Sequence, residues 1–175
     1  MATAKRKSAK SRSATGKSAH KTRTDAISLL MADHRQVEGW FAEFAHSRSA
    51  NKKQQLAAQI CSALRVHTSI EGEIFYPAFL SATRDKDIHH EAIVEHDGAK
   101  KLIVEIEKSD PGDDYFDAKV TVLSEMIKHH VKEEEQPKGM FAEAKASKMD
   151  LEELGRQLLQ RKQELSGEMG GKPNP

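Results

Sequence analysis

Glu71 and Glu134 fall where the spacing of apolar residues calls for leucine, and that misfit constrains this chain more than any other feature. The stripe Phe116, Val120, Leu123, Ile127 advances by four, three and four residues, the pattern of one face of an α-helix. Steps of three and four then land on His130 and Glu134. Leu56, Ile60 and Ala63 lead in the same way to His67 and Glu71, with Ile74 and Ala78 beyond. Ile27 and Leu30 precede His34 on a third stripe, which continues through Val37, Phe41 and Phe44. Ala92, His96, Ala99, Ile103 and Ile106 form a fourth. Four helices each aim a histidine into one core, and two add a carboxylate.

The spacing repeats. His34 is followed 33 residues later by His67 and then Glu71, and His96 is followed 34 residues later by His130 and then Glu134. Each half reads as a lone histidine, a connector and an H-x-x-x-E pair, the signature of a duplicated helical hairpin. Counted from the turns, His34 and His67 differ in height by about 5 Å, and His96 and His130 by about 6 Å. A site spread by one helical turn suits two metal ions better than one, and carboxylates one turn further along can bridge them. A single histidine on an apolar face is more often a hydrogen-bonded core residue than a ligand. Two buried glutamates change that balance, because each costs several kcal/mol without a cation, and imidazole with carboxylate is the donor set such a cation wants.

The surroundings fit an all-α chain. Aromatics are 5% and charged residues 31% of 175 residues, with Ala, Leu, Glu, Lys and Gln dominant. The net charge of +1 hides an asymmetry: residues 1–24 carry eight Lys or Arg and no acid, leaving 20 bases against 27 acids in the remainder. The basic stretch has no apolar run to bury and reads as a disordered tail without the core of a secretory signal. No segment reaches membrane-spanning length. Cys61 is the only cysteine, which excludes an intrachain disulfide and fits a reducing, cytoplasmic setting.

Helices are expected over about 25–45, 52–80, 87–108, 114–135 and 151–165, with Thr24 or Asp25 capping the first and Pro77 kinking or ending the second. Pro137 and Gly139 interrupt the chain before Met140 and Phe141, and the Gly- and Pro-rich end is expected to fray. The fold expected is an up-down-up-down four-helix bundle with an additional C-terminal helix. Its parts are a disordered basic tail over 1–24, a metal-binding bundle over 25–146, and a C-terminal amphipathic helix and frayed end over 147–175.

Candidate metal ligands are therefore His34, His67, Glu71, His96, His130 and Glu134. Glu38, one turn after His34, is a ligand, a partner of a ligand or a boundary residue facing a lysine. Tyr76 and Tyr115 either approach a metal or cap the bundle. His129 is rotated about 100° from His130 and faces solvent. His89 and His90 read as surface residues, and Glu73, Glu133 and Glu135 as solvated acids.

At these residues the chain resembles the hemerythrin-like, HHE cation-binding family. The resemblance rests on Ala32-Asp-His34 with Val37-Glu38, on His67-Thr-Ser-Ile-Glu71 followed by Ile74-Phe-Tyr-Pro77, on Glu95-His96-Asp97, and on His129-His130 with Glu133-Glu134. It implies a four-helix bundle around two non-haem iron ions with an oxo or hydroxo bridge, four terminal histidines, and Glu71 and Glu134 as bridging carboxylates. The animal oxygen carriers of that family place a second histidine one turn along their third helix, where this chain has Lys100. Reversible oxygen carriage is thereby weakened and redox reactivity favoured. Ferritin-like sites use Glu-x-x-His and more carboxylates than histidines, the reverse of the pattern here.

The expected function is binding or sensing of O2, NO or peroxide at the iron pair, in a pocket walled by Leu123, Met126, Ile127, Ile74 and Phe41. A peroxide-detoxifying di-iron enzyme, and an iron-handling stress protein tethered to nucleic acid, are the alternatives. Contact with nucleic acid through residues 1–24 would be weak and non-specific, since that stretch has charge but no aromatic residue to stack on bases.

Overall fold

The computed structural model describes residues 25–170. Residues 1–24 and 171–175, with the expected disordered basic tail and frayed end, lie outside the described residues. Helix α1 (Ala26–His46) starts where Asp25 Oδ1 accepts the Ser28 N–H at 2.8 Å. Ser49 caps α2 (Ala50–Ile70) in the same way. A π-helical segment, Glu71–Phe75, leads into α3 (Tyr76–Thr83), which ends at Arg84 in the left-handed region with φ 62°. Asp85 accepts the N–H groups of Asp87 and Ile88 to open α4 (Lys86–Glu107). The Asp110–Asp113 turn is closed by Gly112 and Asp110 donating to the Asp110 and Asp113 carboxylates. Then come α5 (Phe116–Glu135), α6 (Met140–Ala146) and α7 (Leu151–Gly170).

Helix α1 packs on α2 and α5, and α4 packs on the same two, which closes a four-helix bundle. Helix α7 lies across α1, α2 and the π segment, and α6 bridges α5 and α3. Two apolar clusters fill the interior. One gathers Val37, Leu64, Ala99, Val131 and the residues beyond them towards the α1–α2 and α4–α5 turns. The other gathers Leu30, Ile70, Ala92 and Met140 with Phe75, Phe79, Phe141 and Leu158. On α1, α2 and α4 the histidine falls in sequence between a member of one cluster and a member of the other, and beyond α5 Met140 and Phe141 of α6 supply the second cluster. The polar layer is therefore sealed above and below by hydrocarbon.

The kink expected at Pro77 takes the form of a π turn, and the segment from Met140, to which the sequence assigned no element, is helical. Pro77 supplies no N–H and its ring crowds the carbonyl four residues back, so the chain widens into a π turn just before it and continues helical to Thr83. That turn adds one residue to the register. Beyond Glu71 the fully buried positions are Phe75, Tyr76 and Phe79, so that Phe75 and Phe79 each lie one residue later than the expected Ile74 and Ala78. Among the described residues no helix is long and apolar enough to cross a membrane.

Candidate metal centre

The six candidate ligands meet in the polar layer, each no more than 4% exposed. They form two groups whose ligand atoms lie within 4.8 Å of one another: His34, His67, Glu71 and Glu134, and then Glu71, His96 and His130. Glu71 Oε2 stands between the groups, 3.1 Å from His67 Nε2 and 3.3 Å from His96 Nε2. Glu134 also reaches both ways, with Oε2 3.4 Å from His34 Nε2 and Oε1 3.6 Å from His130 Nε2. The imidazoles face each other in pairs, Nε2 to Nε2, at 3.1 Å for His34 with His67 and 3.2 Å for His96 with His130.

Acids at the bundle seams hold the outer nitrogens. His34 Nδ1 lies 2.7 Å from Glu135 Oε1, and His130 Nδ1 lies 2.7 Å from Glu95 Oε2. A carboxylate at that distance keeps the proton on Nδ1, which turns the Nε2 lone pair of the neutral ring towards the cluster. Asp33, ion-paired with Lys162 of α7, stands 3.6 Å from His67 Nδ1. The Tyr76 hydroxyl lies 3.1 Å from His96 Nε2, 3.1 Å from Glu134 Oε1 and 3.4 Å from Glu71 Oε2.

The protein groups alone cannot leave both glutamates charged. Burial, and then the charge of Glu71, push the Glu134 carboxyl up to about 8. Burial opposes ionisation of Glu71 as well, but His67 and His96 hold it well below the usual carboxylate range. His67 is lifted to about 10 by Glu71 and Asp33 against the opposing effect of burial. Burial and the neighbouring His67 pull His34 down to about 3. Glu71 Oε1 and Glu134 Oε2 are buried with no hydrogen-bond partner. Four imidazoles, two carboxylates and two orphaned oxygens form a donor set that divalent cations satisfy and protons satisfy poorly.

Other sequence expectations divide. His129 is 59% exposed, as its phase required. Tyr76 enters the centre, whereas Tyr115 is 73% exposed. Glu38 pairs with Arg35, not a lysine, and stays outside the cluster. Glu135 is not a solvated acid: it is 16% exposed and bound to His34. His89 is half-buried with its ring against Tyr76. Stripe reasoning missed Glu95, Glu135 and Asp33, because positions flanking a core stripe face the neighbouring helix rather than water. A signal was available, since each directly adjoins a core ligand in sequence. A cavity of about 10 Å³ beside the histidines is walled by Val37, Leu64, Ile127 and Val131, so only Ile127 of the expected walls lines it.

The Hemerythrin HHE cation binding domain family matches residues 25–142, and the chain belongs to that family. A solved relative, the Hemerythrin HHE cation binding domain-containing protein of Mycobacterium kansasii, shares the fold with a TM-score of 0.68 and 20% identity, over 82% of this chain and 88% of that one. A curated protein of Nostoc sp. named DNA nickase is 29% identical over 107 residues, which is 61% of this chain. The match spans 30% of the length of that relative.

Proposed function

We propose that this chain is a non-haem di-iron protein that binds O2, NO or peroxide. In this reading His34, His67, Glu71 and Glu134 hold one iron, and Glu71, His96 and His130 hold the other, with Glu71 and Glu134 spanning the pair. The observation that carries it is the sharing of two buried, under-bonded carboxylates between two histidine pairs. Iron held there supplies a Lewis-acidic, redox-active pair that takes a small oxygen or nitrogen ligand. Residues 25–146 form the metal-binding unit, and α7 within 147–175 covers its α1–α2 side.

The remaining roles belong to this chain's own groups. Glu135 and Glu95 orient the imidazoles of His34 and His130. Burial, and then Glu71 and Glu134, raise the Tyr76 phenol well above its usual range, so its Oη keeps a proton at the centre as a hydrogen-bond donor. Val37, Leu64, Ile127 and Val131 exclude water and bulky substrates, and their cavity has room for one water-sized molecule at most. With both carboxylates spanning the pair, each iron would have two histidines and two carboxylates, fewer than six donors, which leaves room for a small ligand. A reducing, cytoplasmic setting belongs to the same reading: Cys61 is the lone cysteine, buried, with its thiol pushed up to about 12.

Protein purified in air is expected to contain two irons per chain and to absorb in the visible. A stable adduct with O2 or NO supports a carrier or sensor, and repeated oxygen release from peroxide supports the enzyme. Absence of metal under iron-replete expression refutes the centre. For residues 1–24 the reading adds contact with nucleic-acid phosphates, supported by eight positive charges and weakly by the name of the Nostoc relative. Duplex binding that falls steeply with salt and vanishes on deleting residues 1–24 is the expected result, and salt-independent binding refutes it.

A further inference from the structure

We infer that Glu91, Glu95 and His129 form an outer docking site for a divalent transition-metal cation, through which metal reaches the buried centre; this rests on the di-iron reading above. Glu91 and Glu95 lie one turn apart on α4, and His129 faces them from α5. Their ligand atoms fall within 4.8 Å of one another, and Glu91 and His129 are exposed to water. Glu95 is shared between outside and inside, with Oε1 3.2 Å from His129 Nε2 and Oε2 2.7 Å from His130 Nδ1.

A cavity of about 30 Å³ adjoins this cluster. Glu91, Glu95 and Glu133 line it together with buried His130 and Glu134, and neither lysine nor arginine lines it. Its volume exceeds the roughly 10–15 Å³ that a water requires, so a partly stripped ion fits. Glu134, 2% exposed, brings a buried carboxylate to it, with Oε1 3.6 Å from His130 Nε2. Donors thus succeed one another from exposed to buried along one seam of the bundle.

Two other seams carry a positive charge of their own. Between α1 and α7, Lys162 covers Asp33; between α1 and α5, Arg35 covers Glu135 and Glu38. Each places a fixed positive charge outside a ligand histidine, whereas the cavity at the α4–α5 seam is lined by carboxylates, His130 and Gln136 with no cationic side chain. Two carboxylates and one imidazole, open to water, bind a divalent transition ion loosely enough to pass it inward.

The test uses Co²⁺ added to chelator-stripped full-length protein, with visible absorbance following the filling of the histidine-rich centre. The double variant Glu91→Gln/His129→Ala is expected to load at least tenfold more slowly and to reach the same final absorbance of the filled centre. Glu125→Gln, an exposed acid on α5 outside the cluster, is expected to load like the wild type and controls for net charge. A centre-less His67→Ala/His130→Ala protein should retain one weakly held Co²⁺ and lose it when Glu91→Gln and His129→Ala are added. Equal loading rates for the double variant and Glu125→Gln overturn the route and leave the centre standing. A wild type that takes up no cobalt overturns both.

Discussion

Replacing Glu135 with alanine tests how far the seam acids, which touch no ligand position themselves, set the strength of the centre. The carboxylate accepts the His34 Nδ1 proton at 2.7 Å and is itself gripped by Arg35. Loss of such a partner lowers metal affinity by roughly 10–100-fold, or about 1.4–2.8 kcal/mol. The structure argues for the lower end. Glu135 is 16% exposed, so water can reach the space it leaves and accept the Nδ1 proton, and Arg35 retains Glu38 as a partner. An affinity loss of about tenfold is expected for Glu135→Ala. Glu135→Gln keeps an oxygen acceptor and loses only charge, so its loss should be smaller. Competition for metal against a chelator of known strength measures both. Unchanged affinity in Glu135→Ala, alongside a large loss in His34→Ala, would falsify the argument that the proton on Nδ1 aims the His34 lone pair.

His67→Ala and His130→Ala should each lose most bound metal and melt at lower temperature, because the spanning glutamates are left uncompensated; calorimetry with metal analysis decides, and two fully stable variants would sink the site. Chelator-stripped protein should lose stability as pH rises from 6.5 to 8. Glu134, His67 and His130 all have folded values raised above their ordinary ones, so the stability they contribute is fully present below those ordinary values and declines as pH climbs through the raised ones. His34 and His96, whose values are lowered, act in the opposite sense, but below pH 6.5. Denaturant midpoints that rise across the window contradict this assignment. Gly139→Ala would bring a Cβ to 2.2 Å from the Glu133 carbonyl oxygen and 2.8 Å from that of Glu134, forcing α6 off the end of α5. A loss of about 1–3 kcal/mol in unfolding free energy is expected, and a midpoint equal to the wild type refutes it.

Much of this molecule was legible in the spacing of its apolar residues. The stripes of α1, α4 and α5 are buried as read, and the phase that placed His130 inside and His129 outside holds. Periodicity works there because each helix is regular and buries one continuous face. It fails where regularity fails. The π turn at Glu71–Phe75 shifts the buried face of the following residues by one, and no step count carried through Pro77 reveals that. Helix α6 escaped for another reason: its seven residues are too few to show a period, and it is held by Met140, Phe141 and Ala144 packing under α3 and α5. Glu95 and Glu135 were hidden because a seam acid and a solvated acid look alike in one sequence.

The π turn is also what makes the two halves of the repeat unequal. A π turn closes over five residues, so it places Tyr76 above Glu71 on the same side of the helix, where a regular α-helix would carry it well past one full turn. The Tyr76 N–H accordingly donates to the Glu71 carbonyl, and its hydroxyl reaches the Glu71 and Glu134 carboxylates and His96. No tyrosine stands in the corresponding place on the His34–His67 side, where Phe141 stacks on His34 instead. Two histidine pairs of like spacing thus become, through one π turn ahead of a proline, a centre with a donor hydroxyl on one side and hydrocarbon on the other. In the proposed di-iron reading, the His96–His130 side is therefore the one on which a small ligand would find a hydrogen-bond donor.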